Sequence, residues 1–311
     1  MQGGHAALCP PYSSDAGVCP SPKKPDCRYP HCRPCSNPSV TNLPYTLLVP
    51  MCPTILVFDS GLGGLTVQRE IAKARPDAHY VYVADDAFFP YGQHSEDTLT
   101  GRVVPLMGEL IAAHRPDLVV IACNTASTLV LTHLRAAYGV PFVGTVPAIK
   151  PACARSLSKR VSVLGTSGTV KREYTQTLIR DFGQGCIVTL VGSAHLASHA
   201  EAALGGAGID DAAVFNEIAP CFVQDATGAR TDTITLACTH YPLLLDTLTR
   251  IAPWPVTWID PAPAIARRVI DLIGAQPPGA PHGDAVMRYT SGKRHAGPEM
   301  LAPFFGGQVA A

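Results

Sequence analysis

The chain has 311 residues, of which 47% are hydrophobic, so it can bury one large core or two smaller ones. Lysine plus arginine equals aspartate plus glutamate at 24 each, which excludes the strongly basic composition of many nucleic-acid-binding proteins. No apolar stretch approaches the roughly 20 residues of a membrane span, and the N-terminus lacks the pattern of a signal peptide. We therefore expect a soluble cytoplasmic protein with a small-molecule ligand and with neither a membrane nor a nucleic-acid partner.

The first fifty residues differ from the rest of the chain. They contain ten prolines and five cysteines and show no helical or strand periodicity. We predict that residues 1–52 form a disordered extension, or else that Met51 is the true start. One cluster in this segment combines the zinc-binding residue types at short spacing: Cys27, His31, Cys32 and Cys35. No regular structure is predicted around the cluster, so we predict no metal site.

From Thr54 onward, apolar runs of four to six residues alternate with longer amphipathic stretches. This alternation is typical of parallel α/β structure. The predicted strands cover residues 54–58, 79–83, 118–122, 141–143, 161–164, 187–190, 233–237 and 256–258, with a final strand over 286–290. The predicted helices cover residues 64–74, 95–114, 125–138, 169–181, 194–204, 212–223, 242–251 and 262–273.

Two cysteines occupy equivalent positions in this series. Cys123 and Cys238 each follow an apolar, β-branched run that ends in alanine, and each precedes short polar side chains. A weak internal repeat surrounds them, because a strand leading into a glycine-containing turn, at 59–64 and again at 165–169, precedes each cysteine strand. Open α/β sheets bind ligands at the carboxyl ends of their strands, where both thiols are predicted to lie.

The repeat predicts an α/β fold of two similar, doubly wound parallel-sheet domains that face each other across an active-site cleft. The first domain is predicted to comprise residues 53–147 plus 261–300 and to carry Cys123. The second is predicted to comprise residues 148–260 and to carry Cys238. The cleft between them is the predicted site.

Both thiols lie at predicted strand-to-helix junctions, where helix N-terminal amides attract an anionic ligand and lower the pKa of a thiol. One sulfur on each side of a substrate is the arrangement that racemisation without a cofactor needs. Buried cysteine is usually inert, so the other thiols of the globular part are interpreted as structural. These are Cys153, Cys186 and Cys221.

Asp59 and His240 lie where each can tune one thiol, since a histidine near a thiol can stabilise the thiolate or carry its proton. The alternative is that Asp59 and Ser60 only cap the helix that starts near Gly64, and capping is compatible with ligand binding. The glycines of residues 61–64 do not fit the dinucleotide fingerprint, and the chain has no Walker motif. The absence of these nucleotide-binding motifs is consistent with our prediction of no cofactor.

Five motifs follow one another along the chain: Phe58-Asp59-Ser60-Gly61-Leu62-Gly63-Gly64, Pro90-Tyr91-Gly92, Ala122-Cys123-Asn124-Thr125-Ala126, Val146-Pro147-Ala148-Ile149-Lys150 and Cys238-Thr239-His240-Tyr241-Pro242-Leu243. With these motifs the chain resembles the glutamate racemases from about Thr54 to Thr290. The wider aspartate/glutamate racemase superfamily shares the paired cysteines, whereas the Asp-Ser-Gly and Pro-Tyr-Gly blocks point to the glutamate branch.

The resemblance implies a cofactor-independent interconversion of L- and D-glutamate that supplies D-glutamate for bacterial peptidoglycan. It implies that Cys123 takes the α-proton from D-glutamate and Cys238 takes it from L-glutamate. Asp59 would assist the first thiol and His240 the second. A family glutamate that assists the second thiol falls on Glu201, although the sequence before it departs from the family's commoner one. The implied substrate-binding residues are Asp59, Ser60, Pro90, Tyr91, Gly92, Cys123, Asn124, Thr125, Thr166, Thr169, Thr239 and His240.

Two alternatives to this function stay open. The first keeps the enzyme class and changes the substrate to aspartate or another amino acid. The second is a binding protein with the same fold, since some family members are associated with restraint of DNA gyrase. The intact pair of cysteines argues against a pure binder, because a chain freed from catalysis needs neither thiol. We expect a homodimer with glutamate as its substrate.

Overall fold

Two parallel β-sheets organise the computed structural model, which describes residues 52–183 and 185–307. The strands are β1 (Thr54–Asp59), β2 (His79–Ala84), β3 (Leu118–Ile121), β4 (Phe142–Gly144), β5 (Arg160–Thr166), β6 (Ile187–Ser193), β7 (Thr233–Ala237), β8 (Thr257–Ile259) and β9 (Ala285–Tyr289). The first sheet has the order β4-β3-β1-β2-β9 and the second has the order β6-β5-β7-β8. All paired strands in both sheets run parallel.

The two sheets repeat one topology. Strands β1 to β4 of the first sheet and β5 to β8 of the second occupy equivalent places, with β1 and β5 each flanked by the next two strands along the chain. The first sheet gains one more strand, β9, which pairs with β2 after the chain has completed the second sheet. The prediction of two similar parallel-sheet α/β domains is confirmed, while the exact domain boundaries stay predictions.

Helices connect the strands, as parallel pairing requires. They are α1 (Leu65–Ala74), α2 (Glu96–His114), α3 (Asn124–Ala137), α4 (Ile149–Arg155), α5 (Ser167–Val170), α6 (Glu173–Phe182), α7 (Leu196–Leu204), α8 (Asp211–Ile218), α9 (Leu245–Ile251), α10 (Ala262–Ile273) and α11 (Pro298–Leu301). Within the described ranges, no helix is both long enough and apolar enough to cross a membrane.

Burial on both faces explains why the central strands read as continuous apolar runs. Along β1, Ile55 and Val57 enter the core on one face of the first sheet, and Leu56 and Phe58 enter the core on the other. This alternation follows from the two-residue period of a strand. The sheet is therefore covered on both faces, and its strand ends are the place where polar side chains gather.

Three predicted helices differ from the observed ones. The helix predicted over 169–181 is divided into α5 and α6 at Arg172, whose ψ of 140° is extended and not helical. The Thr169 carbonyl there accepts from the Arg172 amide at 3.4 Å and from the Thr175 hydroxyl at 2.7 Å. The helix predicted over 212–223 ends at Ile218 and continues as a 3₁₀ turn that contains a proline. The helix predicted over 242–251 likewise opens with a 3₁₀ turn before α9.

Other differences concern segments that carry weak periodicity. Helix α4 was not predicted, since its seven residues include a proline and are too short to show a period. The predicted extension over 1–52 lies outside the described residues except for Cys52, and so does the cysteine and histidine cluster within it.

Candidate active site

Both repeated cysteines lie at the carboxyl ends of equivalent strands. Cys123 follows β3 after one alanine, and Cys238 follows β7 directly. They line one small cavity, which contains about 300 Å³ of space between atoms. The residues that line it are Ser60, Phe89, Pro90, Tyr91, Gly92, Cys123, Asn124, Thr125, Thr166, Ala197, Cys238, Thr239 and His240. The thiols are only 5% and 6% exposed, so both sulfurs are shielded from bulk solvent.

Cys123 is held at the N-terminus of α3. Its Sγ accepts from the Ala126 amide at 3.5 Å and lies 3.7 Å from the Ser60 hydroxyl. Burial, together with the nearby Asp59 carboxylate, raises the pKa of the Cys123 thiol far above its ordinary value. The expected lowering by the helix N-terminus is therefore wrong for Cys123, because burial outweighs the amide contact. The surroundings of Cys123 therefore favour the neutral thiol over the thiolate.

Cys238 belongs to a chain of polar contacts. Its Sγ lies 3.7 Å from Nδ1 of His240, and Nε2 of His240 lies 2.7 Å from Oε1 of Glu201 on α7. Burial alone would lower the pKa of His240, but its contacts with Cys238 and Glu201 raise that pKa well above the ordinary value. Burial likewise opposes ionisation of Glu201, yet the bond to His240 brings the Glu201 pKa below its ordinary value. The geometry thus favours an imidazolium paired with a carboxylate.

The turn that follows β1 closes over this pair. The Leu62 amide donates to Oε1 of Glu201 at 2.5 Å, and the Gly63 amide points at Nε2 of His240 at 3.2 Å. Nε2 therefore faces a donor as well as an acceptor, so it can keep a partner in either protonation state. Because the turn belongs to the first sheet and the pair to the second, these contacts join the two halves across the cavity.

Gly63→Ala tests how tightly this turn holds His240. A Cβ at Gly63 would lie 2.3 Å from Nδ1 of His240, so either the turn or the ring must move. We expect kcat to fall on the order of a hundredfold, since a displacement of about 1 Å can cost that much. Steady-state kinetics check this, with Gly101→Ala as the control because a Cβ there meets no atom within 4 Å. Equal activity of both variants would contradict the expected crowding.

Asp59 lies at the end of β1, beneath the cavity wall. One oxygen, Oδ2, accepts from the Gly61 amide at 3.2 Å and the Gly64 amide at 2.9 Å, so Asp59 holds the turn that leads into α1, whereas no side chain of the described residues caps the N-terminus of that helix. The other oxygen, Oδ1, is buried and has no hydrogen-bond partner among the described residues. Burial raises the pKa of Asp59, and the nearby His240 opposes this effect. Asp59 thus shapes the turn and still keeps one oxygen free.

Short polar side chains form the opposite wall. The Thr125 hydroxyl lies 3.1 Å from the hydroxyl of Thr166 and 3.2 Å from that of Thr169, which links α3 to the start of α5. Both amide atoms of Asn124 are buried without a partner among the described residues, and this side chain lines the cavity. An unpartnered buried amide is costly unless a ligand or water satisfies it. Asn124 is therefore free to bind a polar ligand.

The Pro90-Tyr91-Gly92 segment also lines the cavity, as predicted. The Tyr91 hydroxyl, however, donates to Asp85 at 2.6 Å. Three predicted site residues do not line the cavity: Asp59, Thr169 and Glu201. Thr169 and Glu201 contact the lining residues Thr125 and His240, whereas the Asp59 carboxylate bonds to amides of the turn after β1. Two lining residues, Phe89 and Ala197, were not predicted. Phe89 directly precedes a motif and its ring centre lies 5.5 Å from that of His240, whereas Ala197 carries no sequence signal.

No metal-binding arrangement accompanies these contacts. Across residues 52–183 and 185–307, no group of three or more histidine, cysteine, aspartate or glutamate side chains could hold a metal ion.

Comparison with known proteins places this arrangement in a family. The family described as Asp/Glu/Hydantoin racemase matches residues 65–269. A glutamate racemase of Brucella anthropi is 60% identical over 220 residues, which cover 70% of this chain and 79% of that protein. A glutamate racemase of Brucella canis is 58% identical over 223 residues, covering 71% of this chain and 80% of that protein.

Solved structures agree with the sequence comparison. The Escherichia coli glutamate racemase, in complex with L-glutamate and the activator UDP-MurNAc-Ala, superimposes with a TM-score of 0.72 at 38% identity. That match covers 83% of this chain and 97% of the other. A glutamate racemase isoform of Bacillus anthracis gives a TM-score of 0.67 at 25% identity and covers 84% and 96% of the two chains. The chain therefore belongs to the Asp/Glu/hydantoin racemase family and, within it, to the glutamate racemases.

Proposed function

We propose that this protein interconverts L- and D-glutamate by moving the α-proton between two thiols, without a cofactor. One observation carries the proposal: Cys123 and Cys238 reach a single cavity from equivalent strand ends of two repeated sheets. The substrate is supported by the Escherichia coli relative, which is described in complex with L-glutamate. The enzyme would supply D-glutamate for peptidoglycan.

In the direction from L- to D-glutamate, Cys238 as thiolate takes the α-proton and its electron pair stays on the α-carbon. Cys123 as thiol gives its proton to the opposite face, which leaves Cys123 as thiolate and Cys238 as thiol. The reverse direction exchanges these roles. The different surroundings support this assignment, because burial keeps Cys123 protonated while an imidazolium at His240 can donate from Nδ1 to the Cys238 sulfur.

The carbanion formed between the two transfers needs stabilisation, since no electron sink such as pyridoxal phosphate is proposed. Negative charge that spreads into the α-carboxylate is stabilised by fixed hydrogen-bond donors in a cavity closed to water. Asn124 supplies an unengaged amide for this purpose, and Ser60, Thr125 and Thr239 supply hydroxyl groups that line the same cavity. Asp59 and Glu201 would act through the thiols and His240.

Exchange of the α-hydrogen in heavy water tests the substrate. We expect the purified protein to exchange the α-hydrogen of both enantiomers of glutamate and to equalise their amounts, with aspartate at background. Proton NMR follows the exchange, and the decay of the circular dichroism signal of each enantiomer follows racemisation. If aspartate exchanged its α-hydrogen and glutamate did not, the substrate would be aspartate. No exchange with any amino acid would favour a binding protein.

Further proposals concern the assembly of the protein, its location and its division into domains. The homodimer, the cytoplasmic location and the domain division at residues 147 and 261 follow from the family resemblance and the sequence pattern. Light scattering of the purified protein measures the assembly, and a monomeric mass would refute the dimer. A role in restraint of gyrase would require binding to gyrase that survives loss of both thiols.

A further inference from the structure

The buried carboxylate of Asp85 lies outside the cavity and accepts several hydrogen bonds. Asp85 follows β2, has no exposed surface, and accepts four hydrogen bonds. Arg102 on α2 donates from Nη2 at 2.6 Å and from Nε at 3.1 Å. The Thr290 hydroxyl, which follows β9, donates at 2.7 Å, and the Tyr91 hydroxyl donates at 2.6 Å. None of these contacts takes part in the proposed proton transfers by Cys123 and Cys238.

Tyr91 connects this carboxylate to the cavity. Its side chain is 1% exposed, and its hydroxyl is occupied by Asp85. The residue nevertheless lines the cavity together with Gly92, so the Pro90–Gly92 segment forms the wall while the phenol reaches outward as its anchor. A phenol engaged by a carboxylate is not available to a substrate, which means that Tyr91 serves the site through the position of its backbone.

The cavity wall formed by the Pro90–Gly92 segment is tightly packed at Gly92. A Cβ at Gly92 would lie 3.1 Å from the Thr166 Cβ, and a Cβ at Gly168 would lie 3.2 Å from the Gly92 carbonyl oxygen. The wall therefore packs directly on the turn after β5, which belongs to the second sheet. A shift of the Tyr91 anchor would move the wall relative to the polar side chains of that turn.

We propose that Asp85 is a positioning residue for substrate binding, which fixes the Tyr91 phenol and thereby the wall formed by Tyr91 and Gly92. The inference rests on the proposed function, since it assumes that the cavity binds glutamate. Asp85 itself touches no reacting atom. Its buried charge is compensated by the two-pronged contact with Arg102, and a carboxylate held in this way has a single orientation to offer Tyr91.

Thr290 connects Asp85 to the part of the chain that follows β9. Thr290 lies beyond the second sheet in the chain, but β9 returns it to the first sheet beside Asp85. The same carboxylate therefore ties the returning end of the chain to the cavity wall. Asp86, the next residue, also bonds to this end through the Ser291 amide at 2.9 Å and His295 Nε2 at 2.6 Å, yet it does not bond to Tyr91. Asp86 is thus a matched control.

Tyr91→Phe and Asp85→Asn, singly and together, test the proposal. Tyr91→Phe keeps the ring and removes only the hydroxyl, so the wall loses its anchor without losing its packing. Because the wall binds substrate and transition state alike, we expect KM to rise about tenfold for both enantiomers, with kcat within about threefold of wild type. Asp85→Asn should raise KM to a similar extent. Asp86→Asn should leave KM unchanged.

The double variant separates positioning from general damage. If Asp85 acts through Tyr91, the double variant has the KM of the single ones, whereas independent effects would multiply to about a hundredfold. Multiplied effects, or an unchanged KM for Tyr91→Phe, would overturn the inference. Tyr91→Phe carries this test even where Asp85→Asn fails to fold, which thermal melting reveals. Absence of glutamate racemisation by the wild-type protein would instead refute the proposed function.

Discussion

We expect Cys123→Ser and Cys238→Ser each to lower the rate of glutamate racemisation at least about a thousandfold, within the range that general acid–base catalysis contributes. A serine hydroxyl has similar size but is a far weaker acid than a thiol, so it stays protonated near neutral pH and can neither take the α-proton as a base nor readily give up its own proton. Circular dichroism measures racemisation, and thermal melting verifies that the fold is kept. Cys186→Ser is the control, because Cys186 is a free thiol outside the cavity.

The same two variants assign the faces of the substrate. Cys123→Ser keeps Cys238, so any residual α-hydrogen exchange in heavy water should be confined to L-glutamate. Cys238→Ser keeps Cys123, so its residual exchange should be confined to D-glutamate. Residual exchange of the opposite enantiomers would reverse the assignment, and near-normal racemisation by either variant would refute the two-thiol mechanism.

The pair of cysteines was accessible to prediction because the signal is local. Each thiol follows a buried parallel strand, and such strands read as apolar runs with a defined end. The repeat then placed both ends in equivalent positions, and the observed orders of the two sheets agree with it. Helix interruptions were less predictable, since the division between α5 and α6 lies at Arg172, whose extended backbone leaves no mark on the apolar periodicity.

Contacts across the cavity could not be predicted from local pattern. Leu62 and Glu201 are separated by 139 residues, and Gly63 and His240 by 177, so their hydrogen bonds exist only once the two halves have folded against each other. The pKa of Cys123 also could not be predicted from the local sequence. Its place at a helix N-terminus predicts a lowered pKa, but the cavity that raises the pKa is formed by residues from both sheets.

Glu201→Gln should lower kcat/KM about tenfold near neutral pH and shift its alkaline limb to lower pH by at least about one unit. Gln keeps the shape of the side chain and can still accept from the Leu62 amide, so the main change is the lost charge. The carboxylate helps to raise the pKa of His240, and the imidazolium is therefore present below that pKa and lost as pH rises through it. Without the carboxylate, His240 loses its proton at lower pH.

The direction of this shift distinguishes an electrostatic role for Glu201 from a purely structural one. If Glu201 only anchored the turn at Leu62, the substitution would reduce activity equally at every pH and leave the alkaline limb in place. Profiles of kcat/KM against pH measure the difference, with Glu173→Gln as the control because that exposed carboxylate pairs with Arg180 on the surface of α6. If the alkaline limb of the Glu201→Gln profile stayed in place or moved to higher pH, the imidazolium at His240 would not be required for the active form of Cys238.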